Sequence, residues 1–337
     1  MNRDSLTGAA LCSFGMMILG GSVSLSRLVL DYPILTGQAL RYALAAALLA
    51  ALLRLFPRLG GTAPVLRPTR RELALLTAVA LLGLALFNTL LLTALDHADA
   101  AVVGTVVGAA PLGLALAGPL IRGARPAARL VIAAGVVVLG TALVHGAGSA
   151  DGVGLAAALG TLVCEVSFSL LAAAVLPRLG AVRVSMYSCA LAVPMLVAAG
   201  LATGEWARLR MPTATEAMIL LYLAVMMTVV AFLAWFTGLR LLGVEHAGMF
   251  TGLVPVATLA VAAVQDQEMP GLAQTTGVLV VAAGLLWGAA GALRGFRATA
   301  ARSAILRRSA GNAAGSSRQP RQPADDLTPT RVRNRTG

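Results

Sequence analysis

Residues Gly104-Thr105-Val106-Val107-Gly108-Ala109-Ala110-Pro111, "GTVVGAAP", have a counterpart 144 positions later in Gly248-Met249-Phe250-Thr251-Gly252-Leu253-Val254-Pro255, "GMFTGLVP". Both read GxxxGxxP, and both lie in long apolar runs. The same offset pairs Gly8 with Gly152, Glu72 with Glu216, Pro126 with Pro270 and Gly140 with Gly284, without a gap. Self-similarity at one fixed offset is the mark of an internal repeat. It divides the chain into a first half at 1–147, a second at 152–293, and a remainder at 294–337.

The solvent of these halves follows from composition. Of 337 residues, 58% are hydrophobic and only 12% charged. A soluble domain carries about 25% charged residues, so this chain needs lipid. A spanning helix takes roughly 20 mainly apolar residues. Ten such runs can be traced, at 7–29, 33–56, 73–95, 99–121, 127–147, 152–176, 183–203, 214–239, 246–264 and 271–293. They lack the two-residue alternation of membrane strands. The expected fold is an all-α integral membrane protein of ten transmembrane helices in two inverted five-helix repeats. The N-terminal run reads as a first span, since others follow it, and not as a signal peptide.

Every basic residue is an arginine, and arginine placement orients the spans. With the N-terminus cytoplasmic, the inner side holds Arg3, Arg54, Arg58, Arg67, Arg70, Arg71, Arg122, Arg125, Arg129, Arg178, Arg183 and Arg240. The outer side holds Arg27, Arg208 and Arg210. That is the positive-inside bias, and it predicts an inner-membrane protein with both ends cytoplasmic. The polar, Arg-rich segment 294–337 cannot bury enough apolar surface to fold alone and reads as a disordered cytoplasmic tail. Its arginines, with those of the inner loops, suit anionic lipid headgroups. The +12 charge is not a nucleic-acid signal, because no aromatic platform or soluble binding module accompanies it.

Five spans per half is an odd number, so the second half enters the membrane upside down relative to the first. Inverted repeats are a signature of secondary transporters, whose solute site lies between the halves near the midplane. Two similar halves of opposite orientation can exchange roles, which gives inward-open and outward-open states of comparable energy.

Each GxxxGxxP has its own physics. Glycines four apart leave a smooth groove where a second helix approaches closely. Pro111 and Pro255 lack an N–H, which frees the carbonyls of Val107 and Thr251 one turn earlier. Freed carbonyls survive only against protein or a wet cavity. The segments therefore read either as packing grooves with a kink or as hinged, cavity-lining helices. Gly284 and Gly288 in span ten read as ordinary packing.

Intramembrane polar groups mark the candidate site. Arg41 lies roughly 12 Å below the outer boundary at 1.5 Å per residue. A charge there costs ~2.5–3.5 kcal/mol on insertion scales and is paired or wet. It reads as a structural hydrogen-bonder or as a clamp for an anion. Glu165, in "LVCEVSF", is the one charged residue between Asp151 and Arg178. At a depth of ~18 Å it is too short to reach water. It must pair, with Arg41 as one option, or carry a proton, and it is a candidate for proton or cation coupling. Asn88 in span three, Tyr187 in span seven, Trp235 in span eight and Phe250 in span nine are candidate cavity residues. Cys12, Cys164 and Cys189 all sit in apolar runs, so neither disulfide nor zinc site is expected. His97 and His246 read as loop groups without metal-ligand spacing. No nucleophile–base motif or phosphate loop occurs, so no enzyme, cofactor or metal is expected.

The ten spans in two halves, Arg41 in "QALRYALAA", and the segments Gly104–Pro111 and Gly248–Pro255 resemble the drug/metabolite transporter superfamily, specifically its EamA-type transporters. The resemblance covers about residues 7–293. It implies that spans one to four and six to nine surround a central cavity, with spans five and ten as supports. It also implies export of a small metabolite, often an amino acid, or of a drug. This sequence departs from the family in the arginines of "LIRGARP" after span four, where an acidic residue is usual, and in the Met- and Gly-rich first span. A membrane-embedded enzyme or a non-transporting scaffold is the alternative class, and neither accounts for the repeat.

Overall fold

The structure, a computed structural model, describes residues 3–26, 32–56, 67–267 and 269–288. The tail assigned to 294–337 lies outside them. Among the described residues, eight helices are long and apolar enough to cross a membrane. Four come first: α1 (Arg3–Ser22 within Arg3–Ser26), α2 (Ile34–Leu55), α3 (Arg70–His97) and α4 (Ala100–Ile121). Next is α5 (Ala128–His145), followed by a 51-residue helix at Gly152–Ala202. That helix is broken by Gly180, whose φ of 74° and ψ of 164° are open only to glycine. We number its parts α6 (152–179) and α7 (181–202). Then come α8 (Ala214–Leu242), α9 (Val244–Gln265) and a shorter apolar helix, α10 (Leu272–Gly288). Gly243, between α8 and α9, takes nearly the conformation of Gly180, with φ 79° and ψ 162°. The six-residue loop expected at 177–182 is thus one glycine, and Arg178 and Arg183 stand on helices. Among the described residues the only β pairing is one isolated bridge, Ala98 with Ala150.

Local features recur at the offset of 144. Thr69 and Glu72 form a capping box that starts α3, and Thr213 and Glu216 form one that starts α8. Each threonine accepts from the glutamate N–H, and each glutamate accepts from the threonine N–H, so donors at both helix starts are satisfied. Both helices then widen into π-helix, at Leu81–Leu86 and at Leu223–Val230. Within the second, the Thr228 hydroxyl donates to the carbonyl of Leu223, five residues back, at 3.1 Å.

The helix packing follows the same offset. Glycines of α1 lie against α8 and α9: a Cβ on Gly8 would stand 2.8 Å from Leu242 Cγ, and one on Gly20 2.3 Å from the Val254 carbonyl oxygen. α6 lies against α3 and α4 in the corresponding way. Gly154 approaches the His97 carbonyl, Gly83 the Phe168 ring and Gly113 Val166. α5 and α10 cross backbone to backbone. A Cβ on Gly140 would stand 2.7 Å from the amide nitrogen of Val281, and one on Gly284 would stand 3.1 Å from that of Val137. Positions 137 and 281, like 140 and 284, differ by 144, so the contact maps onto itself. Gly284, expected to serve packing, does so here.

Candidate functional site

The two GxxxGxxP segments are breaks in their helices. α4 is regular to Val107 and restarts at Ala110, with Gly108 and Ala109 at ψ near zero between them. α9 passes through a 3-10 turn at Met249–Gly252 before Leu253. The Thr251 hydroxyl donates to the Gly248 carbonyl at 2.8 Å, which quiets one acceptor that the irregular turn loosens. The glycines are also filled grooves. Gly104 faces the His145 ring and Gly108 faces Thr141, both on α5, while Gly252 faces Val137 on α5 and Gly248 faces Leu114 on α4. Pro111 and Pro255 are buried. A close-packed groove and an interrupted helix thus occupy the same residues.

Arg41 is 6% exposed on α2. Its Nη2 donates to the Tyr42 hydroxyl at 2.6 Å and its Nη1 to the Met227 sulfur at 3.2 Å, and its guanidinium lies 4.5 Å from the Tyr42 ring centre. Asn88 of α3 reaches the Leu84 carbonyl and stands 3.5 Å from the Tyr42 hydroxyl. Arg41 and Asn88 thus meet through Tyr42, a neighbour that sequence reasoning passed over. Met227 belongs to the π segment of α8, and Asn88 follows that of α3 by two residues. π-bulges often mark functional sites.

Glu165 sits on α6 between buried Cys164 and half-buried Val166. It is half-buried itself. Among the described residues it makes neither a hydrogen bond nor an ion pair, and it does not meet Arg41. One turn on, Phe168 joins Phe232 and Phe236 of α8 in an aromatic trio with centroids 5.5–5.9 Å apart. Tyr187 and Phe250 pack, partly buried, on the core that holds this trio. Trp235, 3% exposed, is inside that core, and its backbone lies beside Gly15 of α1. The Arg41 group and the Glu165 group adjoin, because Leu191 and Phe232 pack against both cores.

The helix ends are tied by polar contacts. Arg178 pairs with Glu72, and Arg122 with Glu245. At the opposite helix ends, His97 meets Asp151 at 2.9 Å, and Asp99 accepts from the Ser149 amide at 2.7 Å. These contacts hold both loop carboxyls below the usual range: Asp99 through the Ser149 amide and hydroxyl, Asp151 through the Gly154 amide and His97. Glu205, in the loop after α7, accepts from the amides of Leu35 and Thr36 at 3.0 and 2.9 Å. It caps α2, whose own N-cap residue, Pro33, has no acceptor to offer.

Buried helices with intramembrane polar groups and irregular turns deep in the bundle are the anatomy of a multi-pass membrane transporter. The family comparison agrees. The model of the EamA-like transporter family matches twice, at residues 6–146 and 152–288. The chain belongs to that family. It is 23% identical over 282 residues to Uncharacterized transporter YetK of Bacillus subtilis (strain 168), covering 80% of this chain and 83% of that one. It is 29% identical over 266 residues to Uncharacterized transporter YdeK of the same organism, covering 77% and 88%. A solved crystal structure is similar with a TM-score of 0.68 at 19% identity, covering 84% of this chain and 97% of that one. At that identity the likeness bears on the fold alone.

Proposed function

We propose that the protein is a secondary transporter that exports a small organic solute from the cytoplasm across the inner membrane. In this reading the ten helical segments form two inverted five-helix halves, 1–147 and 152–293, which exchange roles in alternating access. The termini and the arginine-rich loops are cytoplasmic, where the arginines meet anionic headgroups. Glu165 is the coupling group, loading a proton or a cationic group from one side and releasing it on the other. Arg41, Asn88, Tyr187 and Phe250 border the path. The helices that move are α4 and α9, hinged at Gly108 and Gly252. Enzymatic activity forms no part of this reading.

The observation that carries the proposal is the location of the irregular backbone. Interrupted turns in α4 and α9 and π segments in α3 and α8 fall at matching positions of the two halves. Glu165, half-buried and without a hydrogen bond or ion pair among the described residues, lies on α6, which packs against α3 and α4. Irregular backbone at membrane depth is tolerated where protein or a water-filled path satisfies it. The test is counterflow into liposomes holding the purified full chain, loaded with unlabelled amino acids and exposed to the labelled mixture. A growth screen of an overexpressing strain against amino acids and drugs sets the solute panel. Transient accumulation above that of protein-free liposomes supports transport, and absence of counterflow for the whole panel contradicts it.

A further inference from the structure

We infer that Arg41 and Tyr42 form the receptor for a carboxylate on the transported solute. This rests on the transporter reading above and names the class of solute that the site takes.

The argument begins with charge. The guanidinium is 6% exposed, and among the described residues no carboxylate pairs with it. An intramembrane cation is ordinarily paired or wet. Here its partners are a neutral hydroxyl, a thioether and an aromatic ring. A thioether is a weak acceptor, so the Nη1 contact leaves most of that donor's capacity unspent. The Nε–H has no partner at all.

Donors dominate the surroundings as well. Tyr42, 2% exposed, accepts from Arg41, and Asn88 points an N–H at the same oxygen. Its own O–H is left to donate. On α7, Cys189 is close enough to feel the charge of Arg41 and packs in the same core as Tyr42. Ser185 lies one turn before it on that helix, and Ser188 just before it. Both hydroxyls are buried without a partner. A buried positive charge with an unspent Nε–H, and with no anion among the described residues, is complementary to an anion. The planar fork of a guanidinium matches a carboxylate in two parallel hydrogen bonds. The position fits a transported group. Met227 brings the π segment of α8 to Arg41, and Asn88, two residues past the α3 π segment, approaches the Tyr42 hydroxyl.

The test is binding, measured apart from flux. The full chain in detergent is heated with the common L-amino acids and small aliphatic and aromatic monocarboxylates, each beside its primary amide. At least one acid is expected to raise the melting temperature where its amide does not. Tyr42→Phe keeps the ring and the charge and should weaken that acid's binding several-fold. Arg41→Gln should weaken it roughly tenfold or more, with Arg41→Lys recovering part of the loss. Stabilisation by acid and amide alike, unchanged binding in Tyr42→Phe and Arg41→Gln, or no stabilising acid would overturn the inference. If Arg41→Gln fails to fold, Tyr42→Phe and Arg41→Lys decide. Acid binding without counterflow removes the transport reading and leaves this site standing. Counterflow of a membrane-impermeant solute without a carboxylate that is equal in wild type and Arg41→Gln, without acid binding, does the reverse.

Discussion

Gly252 approaches Val137 so closely that a Cβ built on it would lie 2.2 Å from Val137 Cγ1. That contact joins the interrupted turn of α9 to α5, and in the corresponding break of α4 a Cβ built on Gly108 would lie 2.3 Å from Thr141 Cγ2 of α5. Gly252→Leu and Gly108→Leu should therefore lower counterflow by roughly tenfold while membrane insertion stays normal, since leucine is well tolerated by lipid. Val137→Ala, combined with Gly252→Ala, should recover flux that Gly252→Ala alone loses. Unchanged flux in both leucine variants would show that neither turn moves during transport. Pro111→Ala and Pro255→Ala should be milder and shift the balance of inward- and outward-facing states.

The three cysteines are buried, so single cysteines added at loops report topology cleanly. Ser149→Cys and Arg210→Cys should react with a membrane-impermeant maleimide in whole cells. Arg122→Cys and Arg67→Cys should react only after lysis. Labelling of the second pair from outside would invert the proposed orientation.

The loop carboxyls give an acid dependence of known sign. Asp99 and Asp151 are held below the ordinary value of about 3.9. A depressed folded-state value means the stabilisation is complete above that ordinary value and fades as pH falls through the lower, folded one. Thermal stability of the wild type should drop at strongly acidic pH. The double variant Asp99→Asn, Asp151→Asn should be less stable at neutral pH and show a smaller acid loss. Parallel pH profiles would mean that neither contact holds the 97–99 and 149–151 loops together.

Arg122 and Glu245 tie the end of α4 to the start of α9. Arg122 is largely exposed and such a pair contributes at most ~1 kcal/mol, so single charge-removal variants should fold. If the two helices separate at this end during transport, Glu245→Gln should change the rate several-fold without changing the solute preference. The swap Arg122→Glu with Glu245→Arg should return the rate toward wild type. A rate indifferent to all three changes would place the moving boundary elsewhere.

Much of the architecture was legible because it depends on local chemistry. Pro111 and Pro255 announce helix irregularity through a missing N–H, and Gly284 was read as a packing glycine. The π segments left no such signal, since Leu81–Leu86 and Leu223–Val230 are ordinary apolar sequence. Gly83, within the first, lies against the Phe168 ring. The pairing of Arg41 was also unreadable. Depth alone allowed Glu165 as its partner, while the structure turns it onto Tyr42 and Met227. Arg183, counted with the loops, is 6% exposed on α7, because a single glycine replaces the turn that had been allowed for it. Trp235 looked like a wall residue by composition, and only the approach of α1 at Gly15 places it in the core.

The central claim is that Glu165 couples solute movement to a proton or cation gradient. The most direct measurement compares two assays on Glu165→Gln in liposomes: accumulation driven by an imposed pH gradient, and exchange of labelled for unlabelled solute with no gradient. Glutamine keeps the shape and hydrogen-bonding capacity of the side chain but fixes it in the neutral form. The account predicts that gradient-driven accumulation is abolished and that exchange persists at a rate within several-fold of wild type. Near-normal accumulation in Glu165→Gln, with its pH dependence unchanged, would contradict the claim and leave Glu165 a structural carboxyl within the bundle.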